Sequence, residues 1–351
     1  MSKPLTEIKY DSRITEAKKW LESSSILKDS KPYEITPISS DASFRRYFRI
    51  TTSKLDHTLI LMDSPPEKEP LQKFLSRAEI FNELKIAIPT IYSRNSLMGF
   101  LIIEDFGDTT LLKKISENKD PTTLLISAID ILLKIGDEYK KKRNTMDRKV
   151  NTFSKKILLE ELDLFRNWYV GTHLDQKSRY FPVHNFQTFT DSLISSMLRE
   201  PQTLIHRDFH SKNLMYLNKS NKIGVIDFQD ALVGPITYDL VSLLKDAYTD
   251  YSQDVENACL RYFFEKIAER QLVKGSFESF KTSYDYTAIQ RNLKIIGIFC
   301  RLKYRDNKDN YMRYLKKLNQ RTLAISENYS ELQFITDFFR GIYDNRLNSV
   351  K

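Results

Sequence analysis

Apolar and polar positions alternate over short stretches in the first third of the chain, as they do in half-buried strands. These stretches are rich in β-branched and aromatic residues and are bounded by Ser, Asp, Lys and Pro. Apolar residues recur with helical spacing in residues 13–28 and 70–87. For residues 33–106 we therefore predict a mostly antiparallel sheet with one inserted helix. The strand candidates are YEITPI, RRYFRIT, TLILMDS, PTIYSRN and GFLIIEDF.

The pattern changes after Gly107, where helical spacing dominates to the end of the chain. Three short strand signals, TLIHR, NLMYL and KIGVIDF, interrupt it, and helical spacing returns from Tyr238. We predict an α+β, two-lobed fold with a β-rich N-lobe (1–106) and a helical C-lobe (107–351), hinged at residues 104–107. A length of 351 residues suits two domains. The clearest helix candidates are residues 121–142, 153–169 and 186–198.

Composition and charge narrow the class of protein. Hydrophobic residues make up 41% of the chain, which suffices for a core, and the net charge is +9. The longest basic run is KKKR, and the two cysteines have no zinc-site spacing, so we expect no nucleic-acid partner and no disulfide framework. The start lacks a signal-peptide pattern, and no apolar run approaches the ~18–20 residues that span a bilayer. We expect a cytoplasmic monomer that binds an anionic ligand rather than a membrane.

The segment HRDFHSKN carries the strongest chemical signal. Protein kinases have H-R-D-x-x-x-x-N, with a catalytic Asp and a metal-binding Asn, followed by a metal-binding Asp in D-F-G. Here Asp208 and Asn213 have the template spacing, and Asp227 follows Asp208 by nineteen residues after a predicted hairpin. The alternative is a polar loop with a capping Asp. The agreement of two motifs favours Asp208 as the catalytic residue and Asn213 and Asp227 as Mg²⁺ ligands.

The histidines of this segment are weaker candidates. We expect His206 to be structural, because it precedes the loop and can fix it. His210 lies inside the loop, where it can contact phosphate or substrate. A surface histidine with no functional contact is the open alternative.

The segment expected to bind the nucleotide departs from the protein-kinase pattern. There is no G-x-G-x-x-G, although Ser40 and Ser43 have short side chains that let backbone N–H groups approach a phosphate. Met62 stands where a phosphate-binding lysine is expected. Arg45 and Arg46 are candidates for the missing charge, since guanidinium groups suit phosphate, and outward-facing strand charges are the alternative.

The segment after Asp227 indicates the size of the acceptor. It reads DFQ instead of DFG, with Gln229 for Gly, and no A-P-E follows. The chain continues into VGPITYDLVSLLKDAY, which leaves no room for an activation segment or a platform for a protein substrate. We therefore predict a small-molecule kinase.

Together these segments resemble the aminoglycoside-phosphotransferase superfamily, which has a protein-kinase-like fold. The narrower similarity is to bacterial kinases that phosphorylate N-acetylmuramate and N-acetylglucosamine at the anomeric hydroxyl in cell-wall recycling. It extends over residues 39–308, and its specific parts are DASFRRYFR and MDSPP. It implies ATP and Mg²⁺ as cofactors and an amino-sugar acceptor. Site roles follow for Asp208 (catalysis), Asn213 and Asp227 (metal), Glu104, Asp105 and Phe106 (adenine, through the backbone) and Asp239 (bracing the loop).

Sugar contacts are assigned by the same resemblance. Asp230 and Asp246 lie in matching segments, and a carboxylate there can accept hydrogen bonds from sugar hydroxyls. Arg291 and Arg301 also lie in matching segments, and an arginine can pair with the carboxylate of N-acetylmuramate. Salt bridges on helix surfaces are the open alternative for each. Two other functions stay open: a kinase for aminoglycosides or choline, and a pseudokinase that binds nucleotide without turnover.

Overall fold

The structure is a computed structural model that describes residues 11–27, 32–38, 44–175 and 181–348, with side chains described up to residue 342. The chain divides into two compact units, residues 1–109 with 215–230 and residues 110–214 with 231–351. The sequence instead placed a single boundary after residue 106. The segment 215–230 joins the first unit because its backbone bonds there: Tyr216 N donates to Thr109 O, and Val225 N donates to Ala87 O.

The first unit is built on an antiparallel sheet of five strands in the order β1-β2-β3-β5-β4. Two helices and a two-stranded hairpin complete its described part. The elements are β1 (Tyr33–Ile38), β2 (Arg46–Thr52), β3 (Leu59–Asp63), β4 (Ile91–Asn95), β5 (Phe100–Glu104), α1 (Ser12–Ser23), α2 (Leu71–Glu83), β7 (Leu214–Leu217) and β8 (Lys222–Val225).

Helix α1 begins at Ser12 because the Asp11 side chain accepts hydrogen bonds from the backbone N–H of Arg13 and Ile14. Its buried residues, Ile14, Ala17 and Leu21, recur every three to four positions and so share one face. That face packs on the side chains of β2, β3 and β5 that point to the same side of the sheet. The cluster contains Ile14, Ala17, Leu21, Leu27, Phe48, Ile50, Leu59, Leu61, Phe100 and Ile102.

Successive side chains of a strand point to opposite faces, so the α1 cluster also defines the second face of the sheet. Tyr47 on β2 and Met62 on β3 are direct partners in the ladder and belong to that second face. Arg46 and Asp63 are partners too, but they lie on the α1 side. This division separates the candidate nucleotide residues into two groups.

The second unit is mostly helical, with one short sheet of β6 and β9. A π-helical turn at Phe165–His173 continues α5, and short 3₁₀ segments lie at Asp309–Tyr314 and Ser330–Leu332. The elements are α3 (Leu111–Ser116), α4 (Thr122–Lys149), α5 (Lys155–Leu164), α6 (Val183–Arg199), β6 (Gln202–Ile205), β9 (Leu232–Pro235), α7 (Tyr238–Leu244), α8 (Gln253–Glu269), α9 (Phe277–Tyr304), α10 (Leu315–Ser326) and α11 (Gln333–Asn348).

Helix α9 is the centre of this unit, because most of its middle is buried on every side. Gly297 permits the closest approach: a Cβ there would lie 2.3 Å from the carbonyl carbon of Leu164. Polar residues of α9, including Gln290, Arg291 and Lys294, are buried with the apolar ones. They need partners inside the protein, and they find them in Glu161, in the backbone of Arg207 and in Tyr238. None of the described helices is long and apolar enough to cross a membrane.

Candidate active site

The loop His206–Asn213 connects β6 to β7, and the side chain of Asp239 holds the backbone at the start of the loop. The Asp239 carboxylate accepts hydrogen bonds from His206 N at 2.5 Å and from Arg207 N at 3.0 Å. Arg207 has a φ of +76°, in the left-handed region that costs a non-glycine residue free energy. The two bonds to Asp239 stabilise this conformation, which turns the chain just before Asp208.

Asp208 is held as an ionised carboxylate. Its N–H donates to His206 Nδ1 at 3.3 Å. Burial opposes ionisation, but the positive charges of Lys294 and Arg291 outweigh it and hold the pKa of Asp208 well below its usual range. A carboxylate that stays charged at neutral pH can orient a hydroxyl group and accept its proton late in a transfer reaction.

Two cations close to Asp208, Lys294 and Arg207, contact a buried acid, Glu161 of α5. Its carboxylate contacts Arg207 Nη2 at 2.5 Å and Lys294 Nζ at 3.1 Å. It also accepts a hydrogen bond from Gln290 at 2.9 Å. Burial works against the charge on Glu161, and Lys294 and Arg207 restore it and lower its pKa. Removing one member of such a network leaves a buried charge without its counter-ion, which is costly.

The far end of the loop is fixed by a second buried acid, Asp246. It accepts hydrogen bonds from Ser211 N at 3.0 Å, from the Ser211 hydroxyl and from Tyr248 N at 2.8 Å. Asn213 returns to the start of the loop, since its Nδ2 donates to Asp208 O at 3.0 Å. Because the amide nitrogen makes this bond, the amide oxygen is the atom that would be left to bind a metal ion.

Asp227 belongs to the first unit and follows β8 directly. Its φ of +64° is again in the left-handed region, and Gln229 Nε2 donates to its Oδ1 at 2.8 Å. Gln229 therefore orients the carboxylate from the position where the kinase pattern has glycine. Phe228 points to the other side and packs on Phe74 and Phe81 of α2, with ring centroids 4.9 and 5.4 Å apart. A strained backbone and packed neighbours of this kind are typical of functional sites.

The donor set suits Mg²⁺. The side-chain oxygens of Asn213 and Asp227 are hard ligands, and Mg²⁺ in phosphotransferases is usually held by one or two such groups, phosphate oxygens and water. Nowhere in the described ranges do three or more His, Cys, Asp or Glu side chains gather as a metal-binding group. Asn213 belongs to the second unit and Asp227 to the first, and each by itself offers an oxygen donor of the kind that Mg²⁺ prefers.

The two predicted phosphate-binding arginines lie in different surroundings. Arg46 contacts Asp11 and lies 2.5 Å from Asp63 on the α1 side of the sheet. Arg13 pairs with the same Asp63 at 2.5 Å, so this network ties α1 to the sheet. We set the nucleotide role of Arg46 aside, because its guanidinium is committed to these carboxylates.

Arg45 points to the second face of the sheet. It is 5% exposed and contacts Glu69 at 3.2 Å. Burial first, and then the charge of Asp227, raise the pKa of Tyr47 to about 12, while Arg45 acts on Tyr47 in the opposite sense. Arg45, Tyr47 and Asp227 are therefore electrostatic neighbours in the first unit. Met62 is buried on this face, as the ladder with Tyr47 requires.

Residues 104–107 are tied to the first unit by their side chains. Glu104 accepts from Thr90 N and the Thr90 hydroxyl, at 3.1 and 2.8 Å. Asp105 contacts Arg49 at 2.5 Å and Thr58 at 2.6 Å. The Phe106 ring lies against Gly224, where a Cβ would meet it at 2.4 Å. The side chains of Glu104 and Asp105 thus have partners in the protein, and the adenine contact through the backbone stays a prediction. Ser40 and Ser43 lie outside the described residues.

Three of the predicted sugar contacts have partners within the protein. Asp230 pairs with Lys73 in the first unit, and Asp246 is the buried brace of the loop. Arg291 donates to Arg207 O at 2.8 Å and stacks on Tyr238 at 4.4 Å. The three assignments stay predictions, and these contacts favour the alternative that the charges serve the protein itself.

Two predicted contacts keep a polar atom without a hydrogen-bond partner among the described residues: Arg301 Nε and His210 Nδ1, both buried. His210 lies edge-on to Tyr248, with ring centroids 5.3 Å apart. They stay predictions.

Sequence reasoning missed Glu161, Lys294 and Glu69. Each lies in a helix or in a charged turn, where acids and lysines are usually solvated. The residue types therefore did not indicate that these side chains are buried or paired. For Lys294 a weak signal existed, because apolar residues surround it on every side in NLKIIGIF. A lysine in such a segment is either paired or functional.

Comparison with known proteins defines the class. A model of the phosphotransferase enzyme family matches residues 34–272, and the chain belongs to this family. An ethanolamine kinase from Plasmodium vivax superposes with a TM-score of 0.61 over 88% of each chain, at 12% identity. The α+β, protein-kinase-like fold predicted from the sequence is thereby confirmed, and the chain is a phosphotransferase.

Closer relatives are found among bacterial proteins. A Neisseria meningitidis protein named N-acetylmuramate/N-acetylglucosamine kinase is 31% identical over 324 residues, which cover 91% of this chain and 93% of its own. A Pseudomonas putida protein of the same name is 35% identical over 312 residues, covering 86% of this chain and 88% of its own. The similarity therefore extends over nearly the whole length of both chains.

Proposed function

We propose that this chain is an ATP- and Mg²⁺-dependent kinase that phosphorylates the anomeric hydroxyl of N-acetylmuramate and N-acetylglucosamine. The catalytic part rests on one observation: Asp208 is a half-buried, ionised carboxylate on a loop that Asp239, Glu161 and Asp246 hold in place. The acceptor is inferred from the relatives of that name, which match over nearly their whole length.

Asp208 orients the acceptor hydroxyl and accepts its proton as the phosphoryl group is transferred. Its lowered pKa makes it a weak base, which suits a loose transition state in which proton transfer comes late. An anomeric hydroxyl is also more acidic than an ordinary alcohol, so it needs less help from a base. Positioning is therefore the main contribution of the loop.

We assign Mg²⁺ binding to Asn213 and Asp227. Bound Mg²⁺ would neutralise charge on the phosphoryl oxygens, and the protein contributes by fixing the two side chains. Asn213 is fixed by its bond to Asp208 O, and Asp227 by its bond from Gln229.

Arg45 is our candidate for the phosphate-binding cation that Met62 does not supply. In protein kinases a lysine on the strand is held by a helix glutamate. In this chain Arg45 is held by Glu69, just before α2, on the face of the sheet that carries Met62. A guanidinium held in this way would meet phosphate with little loss of conformational freedom.

The proposal is tested by ATP consumption with Mg²⁺ against a panel of acceptors: N-acetylmuramate, N-acetylglucosamine, kanamycin, choline and none. Turnover is expected on the two amino sugars and should disappear in Asp208→Asn. Turnover on kanamycin or choline alone would refute the acceptor but leave the phosphotransferase site intact. Nucleotide binding without any turnover would refute the kinase proposal.

A further inference from the structure

Lys212 is a cation of the loop His206–Asn213 for which the described residues supply no counter-ion. Among the described residues no carboxylate lies within 4.0 Å of its ammonium group. Other cations nearby are paired: Lys245 contacts Glu256 at 2.7 Å, and Lys317 contacts Asp250 at 3.1 Å. An unpaired charge in a region where other cations are matched suggests that a ligand provides the partner.

The position of Lys212 is fixed by its neighbours in sequence. Ser211 is bonded to Asp246 through its N–H and its hydroxyl, and Asn213 is bonded to Asp208 O. Lys212 therefore extends from a rigid backbone four residues after the catalytic Asp208. Its side chain therefore starts from the same short loop as Asp208, which we propose contacts the acceptor hydroxyl.

The lysine side chain rests on Tyr248, with Nζ 3.7 Å from the ring centroid. Tyr248 is itself held by its N–H bond to Asp246 and by edge contacts with His210 and Tyr314, at 5.3 and 5.4 Å. The ring shields one side of the ammonium, which raises its electrostatic interaction with a ligand on the other side. An aromatic surface next to one cation is typical of sites for amphipathic small molecules.

The other charged groups of the loop are already used. Arg207 is paired with Glu161, and Arg291 donates to the loop backbone. His210 lies edge-on to Tyr248, with ring centroids 5.3 Å apart. Lys212 is left as the loop cation that can receive an anion.

We propose that Lys212, supported by Tyr248, binds the carboxylate of an acidic N-acetylated sugar and so selects N-acetylmuramate over N-acetylglucosamine. This inference rests on the proposed function. The two sugars share the acetamido group and the anomeric hydroxyl, and they differ by a lactyl ether whose carboxylate only N-acetylmuramate has. An ammonium is a point charge with three donors, which suits a carboxylate on a flexible ether.

The test compares kcat/KM for both sugars in wild type and Lys212→Met. We expect the N-acetylmuramate to N-acetylglucosamine ratio to fall about 10- to 100-fold, the effect of losing one charged hydrogen bond. The neutral methyl ester of N-acetylmuramate should show the same loss with the wild-type enzyme and little further loss with the variant. Lys212→Arg should keep most of the preference.

Lys119→Met is the matched control, because it removes an equal charge from an exposed site between α3 and α4. An unchanged ratio in Lys212→Met overturns the proposal, although the proposed function then stands. An equal loss for both sugars, or a raised KM for ATP, would make Lys212 a phosphate-binding or structural residue and also overturns it. If the wild type phosphorylates neither sugar, the proposed function fails first and this inference fails with it.

Discussion

The loop predicted to be catalytic and the strand predicted to bind the nucleotide differ in how closely they follow the protein-kinase pattern. The loop, residues 206–213, keeps its aspartate and asparagine and is held by three buried acids. The strands of the first unit lack the lysine, have Met62 in its place and carry Arg45 nearby. The chemistry explains the difference: orienting one hydroxyl requires one carboxylate at one place, whereas charge on a phosphate can be met from several directions.

The difference also shows in the way each region is stabilised. In the loop, cations surround the Asp208 carboxylate, and one of them, Lys294, is paired with Glu161. The charge of each of these groups therefore depends on that of its neighbour. In the first unit Arg45 and Arg46 are adjacent in sequence, yet they lie on opposite faces and have separate partners. Substitutions in the loop should therefore affect turnover strongly. Substitutions at Arg45 and Arg46 should instead have different effects, one on ATP binding and the other on stability.

The largest expected effect is that of Asp208→Asn. The amide keeps the shape of the side chain but cannot accept the hydroxyl proton, so kcat should fall about 10²–10⁴-fold. The KM for ATP should move little. Asp191→Asn, on the exposed side of α6, is the control. Activity within tenfold of wild type would mean that Asp208 is not the catalytic residue.

Glu161→Gln tests whether the buried network positions Asp208. Lys294 and Arg207 lose their counter-charge, and we expect a loss of roughly 3 kcal/mol in unfolding free energy. At a temperature where the variant stays folded, kcat should still fall about tenfold with little change in either KM, because Asp208 is displaced. Glu160→Gln, exposed on the same helix, should change neither. A stable variant with normal kcat would reduce Glu161 to a packing residue.

The neighbouring Arg45 and Arg46 provide a comparison at the start of β2. Arg45→Ala should raise the KM for ATP about tenfold, since it removes a phosphate contact. Arg46→Ala should leave that KM unchanged and lower the stability, since it removes a partner of the buried Asp63. Equal effects of the two variants on KM would refute the division of the sheet into two functional faces.

The smallest effect on turnover is expected for Glu200, because it lies away from the loop His206–Asn213. The expected effect is on stability. Burial raises the pKa of Glu200 to about 8, against hydrogen bonds from Thr237 and Thr287. Between pH 4.5, its ordinary pKa, and pH 8, the folded state holds a proton that the unfolded chain has released. Stability must therefore fall as the pH rises through this window and level off above it.

Glu200→Gln should remove that slope, because the amide does not ionise. Relative to wild type, we expect the variant to gain roughly 3 kcal/mol more at pH 8 than at pH 5. Thermal unfolding at the two pH values measures the difference, with Glu79→Gln on the exposed side of α2 as the control. A gain that is equal at both values would mean that the Glu200 carboxyl has an ordinary pKa.

The sequence predicted the elements that depend on local pattern. The helix at residues 70–87 is found as α2 (Leu71–Glu83), and the segments LMYL and KIGV pair as β7 and β8. The helix predicted over 153–169 begins at Lys155, where Ser154 caps it, and turns π-helical at Phe165. The π-helical turn could not be foreseen, since it lies where Gly297 of a distant helix meets the backbone of Leu164.

The site was predictable only where a motif repeats a known spacing. Asp208, Asn213 and Asp227 follow from such spacing, and their functional roles stay predictions. The partners of Asp246 and Arg291 could not be read from the sequence, because Ser211 and Arg207 lie 35 and 84 residues from them. From the sequence, Arg45 and Arg46 were equally good candidates for binding phosphate. Only the face of the sheet on which each side chain lies distinguishes them.

The most direct measurement of the central claim is the structure of the product. Wild-type enzyme would be incubated with ATP, Mg²⁺ and N-acetylmuramate, and the phosphorylated sugar would be analysed by ³¹P and ¹H NMR. The account predicts one phosphate on the anomeric oxygen, seen as phosphorus coupling to the C1 proton and loss of the reducing end. A phosphate on another hydroxyl would contradict the anomeric assignment, and the absence of any phosphorylated sugar would contradict the proposed function as a whole.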